Sequence, residues 1–438
     1  MPDQKAPEPS SEGPPGAEQL ESSRQASALP RFFGQFAPID AGQILKAMPV
    51  LRYLALKRSE DPRTQGALER YHFIFVLHFL SDLIGLIEAY RLSGLSWERS
   101  HFLYKDYLYP YKSKIEQQLV GHGADVMPLI APDVLATVVR HVVTESKADG
   151  RKILIVEDGG YLVPLIHTAF RDDLASFAGA VEQTTKGVRQ DEAVVPLGFP
   201  VLSVAGAKVK TQKESPEIAR LVWTNAQRLL WYQDLRGRPV LVVGYGSIGR
   251  NLAFHLRSNG IKVRVFDKDE RRRDQARNDG YDVGDDLPNL IGRQSDLIVI
   301  GTTGNTSIGV NEILALGNNS VLVSASSDQR EIAVADLRKL SDDGAGELIT
   351  HPASEESCGH RYRILKTRSE ITLLADGYPV NFWNVESLPY GIAQVALVPL
   401  FLSTLAIADP HPHCKCTGQP DPDLVDRLVD EEGIFDQL

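Results

Sequence analysis

Short apolar runs alternate with amphipathic segments along most of the chain, and the clearest example is at residues 239–267. Residues 240–243 (VLVV) form an unbroken apolar run, which is typical of a strand buried on both faces of a parallel sheet. Residues 252–256 (LAFHL) carry apolar side chains at helical spacing, and residues 263–266 (VRVF) form the next strand-like run. This order predicts a βαβ unit, in which a helix joins two parallel strands.

The same alternation continues on both sides of this unit. Further strands are predicted at residues 72–79, 152–156, 200–204, 297–300 and 320–324, and further helices at residues 81–88, 217–230 and 391–407. Ser81 or Asp82 is expected to cap the first of these helices. Residues 371–375 are expected to pair with residues 380–381 through a turn at 376–378. Repeated strand–helix alternation predicts an α/β fold with parallel sheets.

A glycine-rich turn follows the first strand of that unit, with the spacing Gly244-x-Gly246-x-x-Gly249. Gly244 allows the tight turn, Gly246 lets a pyrophosphate approach the backbone, and Gly249 lets helix and strand pack closely. The helix N-terminus offers unpaired N–H groups to phosphates. Asp267 lies 21 residues after Gly246 (267 − 246), where its carboxylate can accept hydrogen bonds from a ribose 2′-OH. The pattern predicts an NAD site, because Asp267 would repel a 2′-phosphate; a glycine turn without a ligand is the alternative.

Ionisable residues follow two of the other predicted strands. His78 stands near the end of the strand at 72–79, and Glu157-Asp158 directly follow the strand at 152–156. Because ligands of open α/β sheets bind at the carboxyl ends of strands, these residues are candidates for function. A packed histidine and a pair of helix N-caps are the corresponding structural alternatives.

Three lysines follow the strand at residues 200–204, namely Lys208, Lys210 and Lys213. A lysine near a nicotinamide could hold a hydroxyl or lower its pKa during oxidation. Solvated surface lysines are the alternative.

Composition excludes several classes of function. A net charge of −10 argues against binding a polyanion, so no nucleic-acid partner is expected. Three cysteines are too few for a disulfide framework and favour a reducing cytoplasm. No apolar run is expected to approach the length of a membrane span, and no hydrophobic signal core is expected at the N-terminus.

The two ends of the chain differ in composition from its centre. Residues 1–29 are rich in Pro, Ser, Glu and Gln and are predicted to be disordered, and residues 414–438 are predicted to be a loosely ordered acidic tail. Residues 411–416 (HPHCKC) are dense in possible metal ligands, but their spacing is too tight for a standard four-ligand zinc site. No metal site is predicted.

Four blocks, taken together and in order, resemble the S-adenosylhomocysteine hydrolase family over roughly residues 70–400. They are the strand and helix around His78, residues 157–167 (EDGGYLVPLIH), residues 182–187 (EQTTKG), and the lysine block and glycine fingerprint from Val204 through Asp267. The resemblance implies two Rossmann-like domains, a substrate domain at 30–220 plus 389–413 and an inserted NAD-binding domain at 221–388, with a cleft between them. It also implies a homo-oligomer, a dimer or a tetramer, that acts on a small nucleoside-type substrate.

The resemblance also implies an unusual redox cycle. In that family bound NAD oxidises a ribose 3′-OH, a base removes the acidified 4′-hydrogen, the 5′-substituent leaves, water adds, and the ketone is reduced again. Carried over by position, the catalytic residues are His78, Asp158, Lys210 and Glu214, and the substrate contacts are Asp82 and Gln183. The cofactor contacts are Thr184, Thr185, Lys186, Gly244, Gly246, Ser247, Ile248, Gly249, Asp267, Thr303, Asn305 and Asn381.

The sequence departs from the family pattern mainly on the substrate side. Gln183 and Asp82 stand where the family has glutamates, and Glu214 and Ser215 where it has aspartate and asparagine; Ser327 and Leu388 replace histidines, and the family's C-terminal Lys…Tyr segment is not matched. Loss of a charged hydrogen-bonding partner in a buried site typically costs about 2–4 kcal/mol. We therefore expect a changed substrate or outcome: hydrolysis, elimination or epimerisation. A catalytically impaired, regulatory NAD-binding homologue is the alternative, and a 2-hydroxy-acid dehydrogenase ranks last.

Overall fold

The computed structural model describes residues 40–105, 109, 111–129, 132–326, 328–386, 388–409 and 411–438. The segment predicted to be disordered, 1–29, lies outside the described residues, as does Ser327. In the described part of the chain the strands form two sheets.

The first sheet contains the strands β1 to β6. The elements of this part are α1 Ala41–Lys46, α2 Pro49–Glu60, β1 Tyr71–Leu77, α3 Ser81–Leu92, β2 Ser100–Tyr104, α4 Lys112–Gly121, β3 Asp125–Pro128, α5 Pro132–Asp149, β4 Lys152–Glu157, α6 Leu162–Ala169, β5 Phe177–Glu182, α7 Thr185–Glu192 and β6 Val201–Ser203. All neighbouring strands are parallel, in the order β3-β2-β1-β4-β5-β6. This is the doubly wound Rossmann order. The chain adds β2 and β3 on one side of β1 and then β4, β5 and β6 on its other side, so the strand order reverses between β1 and β4.

The second sheet repeats that order and extends it. Its elements are α8 Ser215–Leu229, β7 Val240–Val243, α9 Ser247–Ser258, β8 Val263–Phe266, α10 Glu270–Asn278, β9 Asp282–Val283, α11 Leu287–Ile291, β10 Ile298–Gly301, α12 Val310–Ala315, β11 Ser320–Ser324, α13 Val334–Leu340, β12 Glu347–Thr350, β13 Ser357–Arg363 and β14 Glu370–Leu374. The order is β12-β13-β14-β11-β10-β7-β8-β9. The six neighbouring strands β14, β11, β10, β7, β8 and β9 are parallel to one another. At the edge beyond β14, β13 pairs antiparallel with β14, and β12 pairs antiparallel with β13. The predicted fold class, α/β with two Rossmann-like sheets, is confirmed.

Two helices after the second sheet return to the first, α14 Tyr390–Ala408 and α15 Asp423–Glu431. Side chains from both helices belong to the same buried apolar cluster as β1 and α3. α14 has the length and apolar composition of a membrane span, with a mean hydropathy of 2.0, so the expectation that no run reaches that length was wrong. Its most apolar 18-residue window is entirely buried, and the helix serves as a core element of this fold.

The apolar runs predicted most of the strands to within one or two residues, but local details differ. β14 does not pair with residues 380–381; its antiparallel partner is β13, and its parallel partner is β11. The N-cap of α3 is Leu80, without a side-chain cap, so neither Ser81 nor Asp82 caps it. The acidic tail is not loose, because Leu424, Val425, Leu428 and Val429 of α15 are buried.

Candidate active site

The carboxyl ends of the central strands of both sheets open into one cleft. His78 follows β1 and Asp158 follows β4, so both stand where the first sheet reverses its strand order. Gly244 follows β7 and Thr302 follows β10, at the matching point of the second sheet. All four residues line a cavity of about 360 Å³. Open α/β sheets bind their ligands at this reversal point because helices leave it on opposite faces.

Asp158 lies in a buried cluster of charges with His78 and with Lys105, which directly follows β2. The Lys105 ammonium contacts Oδ1 of Asp158, and His78 Nε2 lies 3.4 Å from Oδ2 of Asp158 and 3.4 Å from Nζ of Lys105. Burial alone would raise the pKa of Asp158, but Lys105 and His78 hold that pKa well below its usual range. Burial and the Lys105 charge lower the pKa of His78. The cluster therefore combines a charged carboxylate with a neutral imidazole, which is a proton acceptor.

Lys210 and Glu214 line the same cleft and stand on a single π-helical turn, Lys210–Glu214, that leads into α8. Lys210 donates from Nζ to the backbone oxygen of Gln183 at 2.9 Å, and its Nζ lies 3.5 Å from Oε2 of Glu214. Short π-helical turns are frequent at functional sites because they redirect side chains along a helix. Both side chains line the cleft beside Gln183.

Glu157 and Asp158 have different roles. The carboxylate of Glu157 accepts hydrogen bonds from the backbone N–H groups of Tyr161, Leu162 and Val163 at 2.7–3.1 Å, so it caps the start of α6. Asp158 points into the cleft. The alternative in which both acids cap a helix therefore holds for Glu157 and not for Asp158.

The three buried carboxyl groups of Glu157, Glu182 and Asp191 lie beneath the loops after β4 and β5. Glu182 accepts from the backbone N–H groups of Gly159 and Gly160 at 3.0 and 2.9 Å and from the Thr184 hydroxyl at 2.7 Å. Burial and the charge of Glu157 raise the pKa of Glu182 to about 8. Asp191 is fully buried with neither oxygen hydrogen-bonded, and burial together with Glu157 raises its pKa to about 10.

The glycine fingerprint has the local geometry that a pyrophosphate needs. Gly244 has φ +102°, and a Cβ there would lie 2.6 Å from the Thr302 hydroxyl. A Cβ on Gly249 would lie 1.9 Å from the backbone oxygen of Gly244, so only glycine lets α9 approach β7 this closely. Gly246 precedes α9, and Gly246, Ser247 and Ile248 line the cleft.

Asp267 is buried at the end of β8. One carboxylate oxygen accepts from the Tyr245 N–H at 2.6 Å and the other from the Asp269 N–H at 2.9 Å. The Arg272 guanidinium lies 3.6 Å from the first of these oxygens. A carboxylate has about four acceptor positions, so Asp267 can also accept from ribose hydroxyls.

Loops after β10 and β14 form the other wall of the cofactor half. Buried Glu331 accepts from the Thr303 hydroxyl at 2.9 Å and from the Gly304 N–H at 2.8 Å, and so holds the loop that carries Asn305. Asn381 is buried and lines the cleft, and its Oδ1 has no hydrogen-bond partner. The unpaired Oδ1 of Asn381 could accept a hydrogen bond from the carboxamide of NAD. The glycine turn at 244–249 fits the pyrophosphate.

Residues at the start of α7 join the two halves of the cleft. Thr184 caps this helix by accepting from the Gly187 N–H at 3.0 Å, and Thr185 lines the cleft beside it. Lys186 forms an ion pair of 2.7 Å with Asp328, which follows β11 of the second sheet. The pair connects the two sheets across the cleft.

The substrate half has a largely apolar wall. Asp82 of α3 and Leu388 line it, together with Leu83, Leu86, Ala393, Ala396, Leu397 and Leu400. Burial, helped by Glu386 and Glu214, raises the pKa of Asp82 to about 7. The Phe382 ring lies 4.9 Å from the His78 ring, centre to centre. Such a wall suits a flat, weakly polar group.

The structure brings together nearly all of the residues predicted for the site. Every predicted catalytic, substrate and cofactor residue lines the cleft except Gly249, which is buried behind it. Their roles stay predictions. Sequence reasoning missed Lys105, Glu331 and Phe382; only Lys105 carries a signal, since it follows the short run at 101–104.

The fold and cleft define a Rossmann-type nicotinamide-dependent protein. Residues 233–386 match the family model "S-adenosyl-L-homocysteine hydrolase, NAD binding domain". The chain is 28% identical over 298 residues to the adenosylhomocysteinase of Thermoplasma acidophilum, covering 65% of this chain and 69% of that protein. It is 30% identical over 280 residues to an uncharacterized protein of Mycobacterium tuberculosis, covering 62% of this chain and half of that protein.

A glyoxylate/hydroxypyruvate reductase of Sinorhizobium meliloti shares 17% identity and a TM-score of 0.45, with 80% of this chain and 98% of that chain covered. On the sequence matches, residues 233–386 are an NAD-binding domain of the S-adenosyl-L-homocysteine hydrolase type, and the chain is similar to an adenosylhomocysteinase over 298 residues. The predicted cofactor, NAD, is confirmed by the match of residues 233–386 to an NAD-binding domain.

Asp267→Asn is expected to weaken NAD binding about 10–100-fold, the usual cost of a lost hydrogen bond to a charged group. Discrimination against NADP should narrow, because the repelling charge is removed while Arg272 remains beside it. Dissociation constants for both cofactors, measured by calorimetry on stripped protein, test this. Asp282→Asn, at an exposed position on β9, is the control; equal losses in both variants would contradict the assignment.

Asp191→Asn is expected to stabilise the protein increasingly as pH rises. The carboxyl loses its proton near its ordinary pKa of 3.8 when unfolded but only near 10 when folded, so wild-type stability should fall between these values. Asparagine has no such penalty. Urea unfolding at about pH 4 and about pH 9 should show a gain that is larger at the higher pH. Asp172→Asn, at an exposed position whose charge does not act on Asp191, should show no such trend.

Proposed function

We propose that the protein is an NAD-dependent enzyme that transiently oxidises the ribose 3′-OH of an adenosine-type nucleoside. The observation that carries the proposal is the meeting of the glycine fingerprint with two sets of charged side chains in one cleft. One set is His78 with Asp158, and the other is Lys210 with Glu214. NAD, when bound, supplies the hydride acceptor for this chemistry.

Lys210 is proposed to hold the 3′-hydroxyl and to favour loss of its proton. Its ammonium is kept in place by the backbone oxygen of Gln183 at 2.9 Å and by Glu214 at 3.5 Å. A cation at this position stabilises negative charge that develops on the oxygen as the hydride leaves. Glu214 is proposed as the group that orients the ammonium.

His78 and Asp158 are proposed to move the proton at the neighbouring ribose carbon. Burial and Lys105 keep the imidazole neutral, so His78 can accept a proton near neutral pH. Asp158 stays charged and can stabilise the imidazolium that results. Lys105 is proposed to maintain this division of charge.

The substrate wall supports an altered substrate or outcome. Leu388 and the α14 side chains make the wall apolar, and Gln183 brings an amide where a carboxylate would be expected. Hydrolysis, elimination and epimerisation are the outcomes compatible with a transient 3′-ketone. The same substitutions favour the second candidate, a catalytically impaired NAD-binding regulatory protein.

The proposal includes the remaining expectations from the sequence. The domains are divided at 220/221 and 388/389, and the protein acts in the cytoplasm as a homo-oligomer. The aligned region covers 69% of the Thermoplasma relative and half of the mycobacterial one, so activity and substrate are proposals for the whole chain.

Lys210→Ala is expected to retain NAD and to lose its reduction by substrate, because the variant lacks the cation that stabilises the developing alkoxide. Removing such a group typically slows the step about 10²–10³-fold. The measurement is the near-ultraviolet absorbance of reduced nicotinamide after mixing with a panel of adenosine-type nucleosides.

Lys208→Ala is the matched control for Lys210→Ala. Its ammonium is exposed, 3.9 Å from Asp426, and does not line the cleft, so this variant should behave as wild type. A wild-type protein that holds NAD and never reduces it with any nucleoside of the panel would contradict the proposal and favour the regulatory alternative.

Lys105→Met is expected to lower the free energy of unfolding by about 3–5 kcal/mol at neutral pH, because it leaves a buried carboxylate without its partner. The pKa of Asp158 is held below its ordinary 3.8, so wild type gains stability above that pH and loses it as pH falls. The deficit of the variant should therefore shrink in acid. Because that loss lies below pH 3.8, urea unfolding at about pH 2.5 and about pH 7 tests this, with exposed Lys114→Met as control.

A further inference from the structure

A second polar cluster lies at the opposite edge of the first sheet, at the amino ends of β1 and β2. Side chains alternate between the two faces of a strand, so His72 shares a face with Ile74 and Val76, and His101 shares a face with Leu103. Those apolar residues pack against α5. Both histidines therefore face the last turns of α5. His78 stands six positions after His72 (78 − 72), roughly 20 Å away at about 3.3 Å per residue.

The helix presents carboxylates to the two histidines. Glu145 and Asp149 are four residues apart on α5 and lie on one face of it. Oε2 of Glu145 lies 3.8 Å from His72 Nδ1 and 3.5 Å from His101 Nε2. The three ligand atoms all lie within 4.8 Å of one another.

These three atoms lack hydrogen bonds. His72 and His101 are each 3% exposed, and His72 Nδ1, His101 Nε2 and Glu145 Oε2 are buried atoms with no hydrogen-bond partner. Buried polar atoms are normally paired, so three that lie this close together could be satisfied by one shared partner.

The other ring nitrogen of each histidine is held by a carboxylate. His72 Nε2 lies 3.0 Å from Oδ2 of Asp149, and His101 Nδ1 lies 3.1 Å from Oδ2 of Asp125. A histidine that binds a metal almost always donates its second ring N–H in this way, which fixes the tautomer and directs the free lone pair at the metal. Both histidines here have that arrangement, and both free nitrogens point at the same place.

We propose that His72 Nδ1, His101 Nε2 and Glu145 Oε2 bind one divalent transition-metal ion, with Zn²⁺ as the best fit. Two imidazoles and a carboxylate are a common zinc ligand set, and metal–ligand bonds of about 2.1 Å in a tetrahedron place neighbouring ligand atoms about 3.4 Å apart. The separations of 3.5 and 3.8 Å are close to that spacing and too long for hydrogen bonds. The ion would join α5 to the strands β1 and β2 at the edge remote from the cleft.

No motif predicted this site, because its ligands are 29 and 44 residues apart (101 − 72 and 145 − 101). The histidines and cysteines at 411–416 do not form a group of three converging ligand atoms. In the described part of the chain, the groups whose ligand atoms converge are this one and an overlapping trio of His101, Asp125 and His141. Solvent-exposed His141 lies 3.5 Å from the other oxygen of Glu145, at the open side of the site.

The test uses the full chain with its NAD and without a histidine tag. After dialysis against a chelator, Zn²⁺ is titrated in competition with a chromophoric chelator, and bound metal is counted by elemental analysis. We expect one Zn²⁺ per chain and a higher melting temperature with Zn²⁺. Glu145→Gln, at a partly exposed position that should fold, is expected to weaken binding more than about 100-fold and to abolish the thermal shift; Asp149→Asn should weaken it about 10–100-fold.

Two controls separate this site from adventitious binding. His122→Gln, at an exposed histidine in the same half of the protein, should bind Zn²⁺ as wild type. Cys416→Ser should also leave binding unchanged, and Co²⁺ in place of Zn²⁺ should give no thiolate charge-transfer band. Absence of binding by wild type, equal binding by Glu145→Gln, or dependence on Cys416 would each overturn the proposal. None of these readouts depends on the proposed enzymatic activity.

Discussion

A parallel sheet has one edge at which all of its strand carboxyl ends emerge, and in this protein that constraint acts twice. Each sheet reverses its strand order between its first and fourth strands, β1/β4 and β7/β10. Helices leave on opposite faces at those points, so each sheet has a crevice there. The two crevices form one cleft, and residues more than 100 positions apart, such as Asp158 and Asp267, line it together.

Many ionisable groups lie buried in or beside the cleft. Because they are buried, the charge state of each one depends on its neighbours. Asp158 is stable as a carboxylate because Lys105 and His78 lie against it, and the same lysine helps to keep His78 neutral. Glu182 and Glu331 are held by backbone and hydroxyl donors, so they shape loops instead of facing ligand. Asp191 has no such donors and is kept protonated. A buried charge is tolerated only where its partners are complete.

Much of the fold and the cofactor half could be predicted from the sequence. The strands buried on both faces, such as β7, read as unbroken apolar runs, and the glycine fingerprint specifies its own turn through φ and close packing. Six strands, which are very short or mix apolar with polar or small residues, were not predicted, namely β2, β3, β5, β9, β12 and β13. The apolar helix α14 satisfies the composition of a membrane span, and only its burial between other elements shows it to be a core helix.

Many of the local elements, the NAD fingerprint and the strand ends that carry His78 and Asp158 could be read from the sequence. Three features depend on how distant segments pack. Glu157 caps a helix while Asp158 faces the cleft, Lys105 lies beside His78, and His72, His101 and Glu145 converge. The reason is physical. Periodicity and turn chemistry act over a few residues, whereas the position of one strand end relative to another is set by sheet register and packing between distant segments.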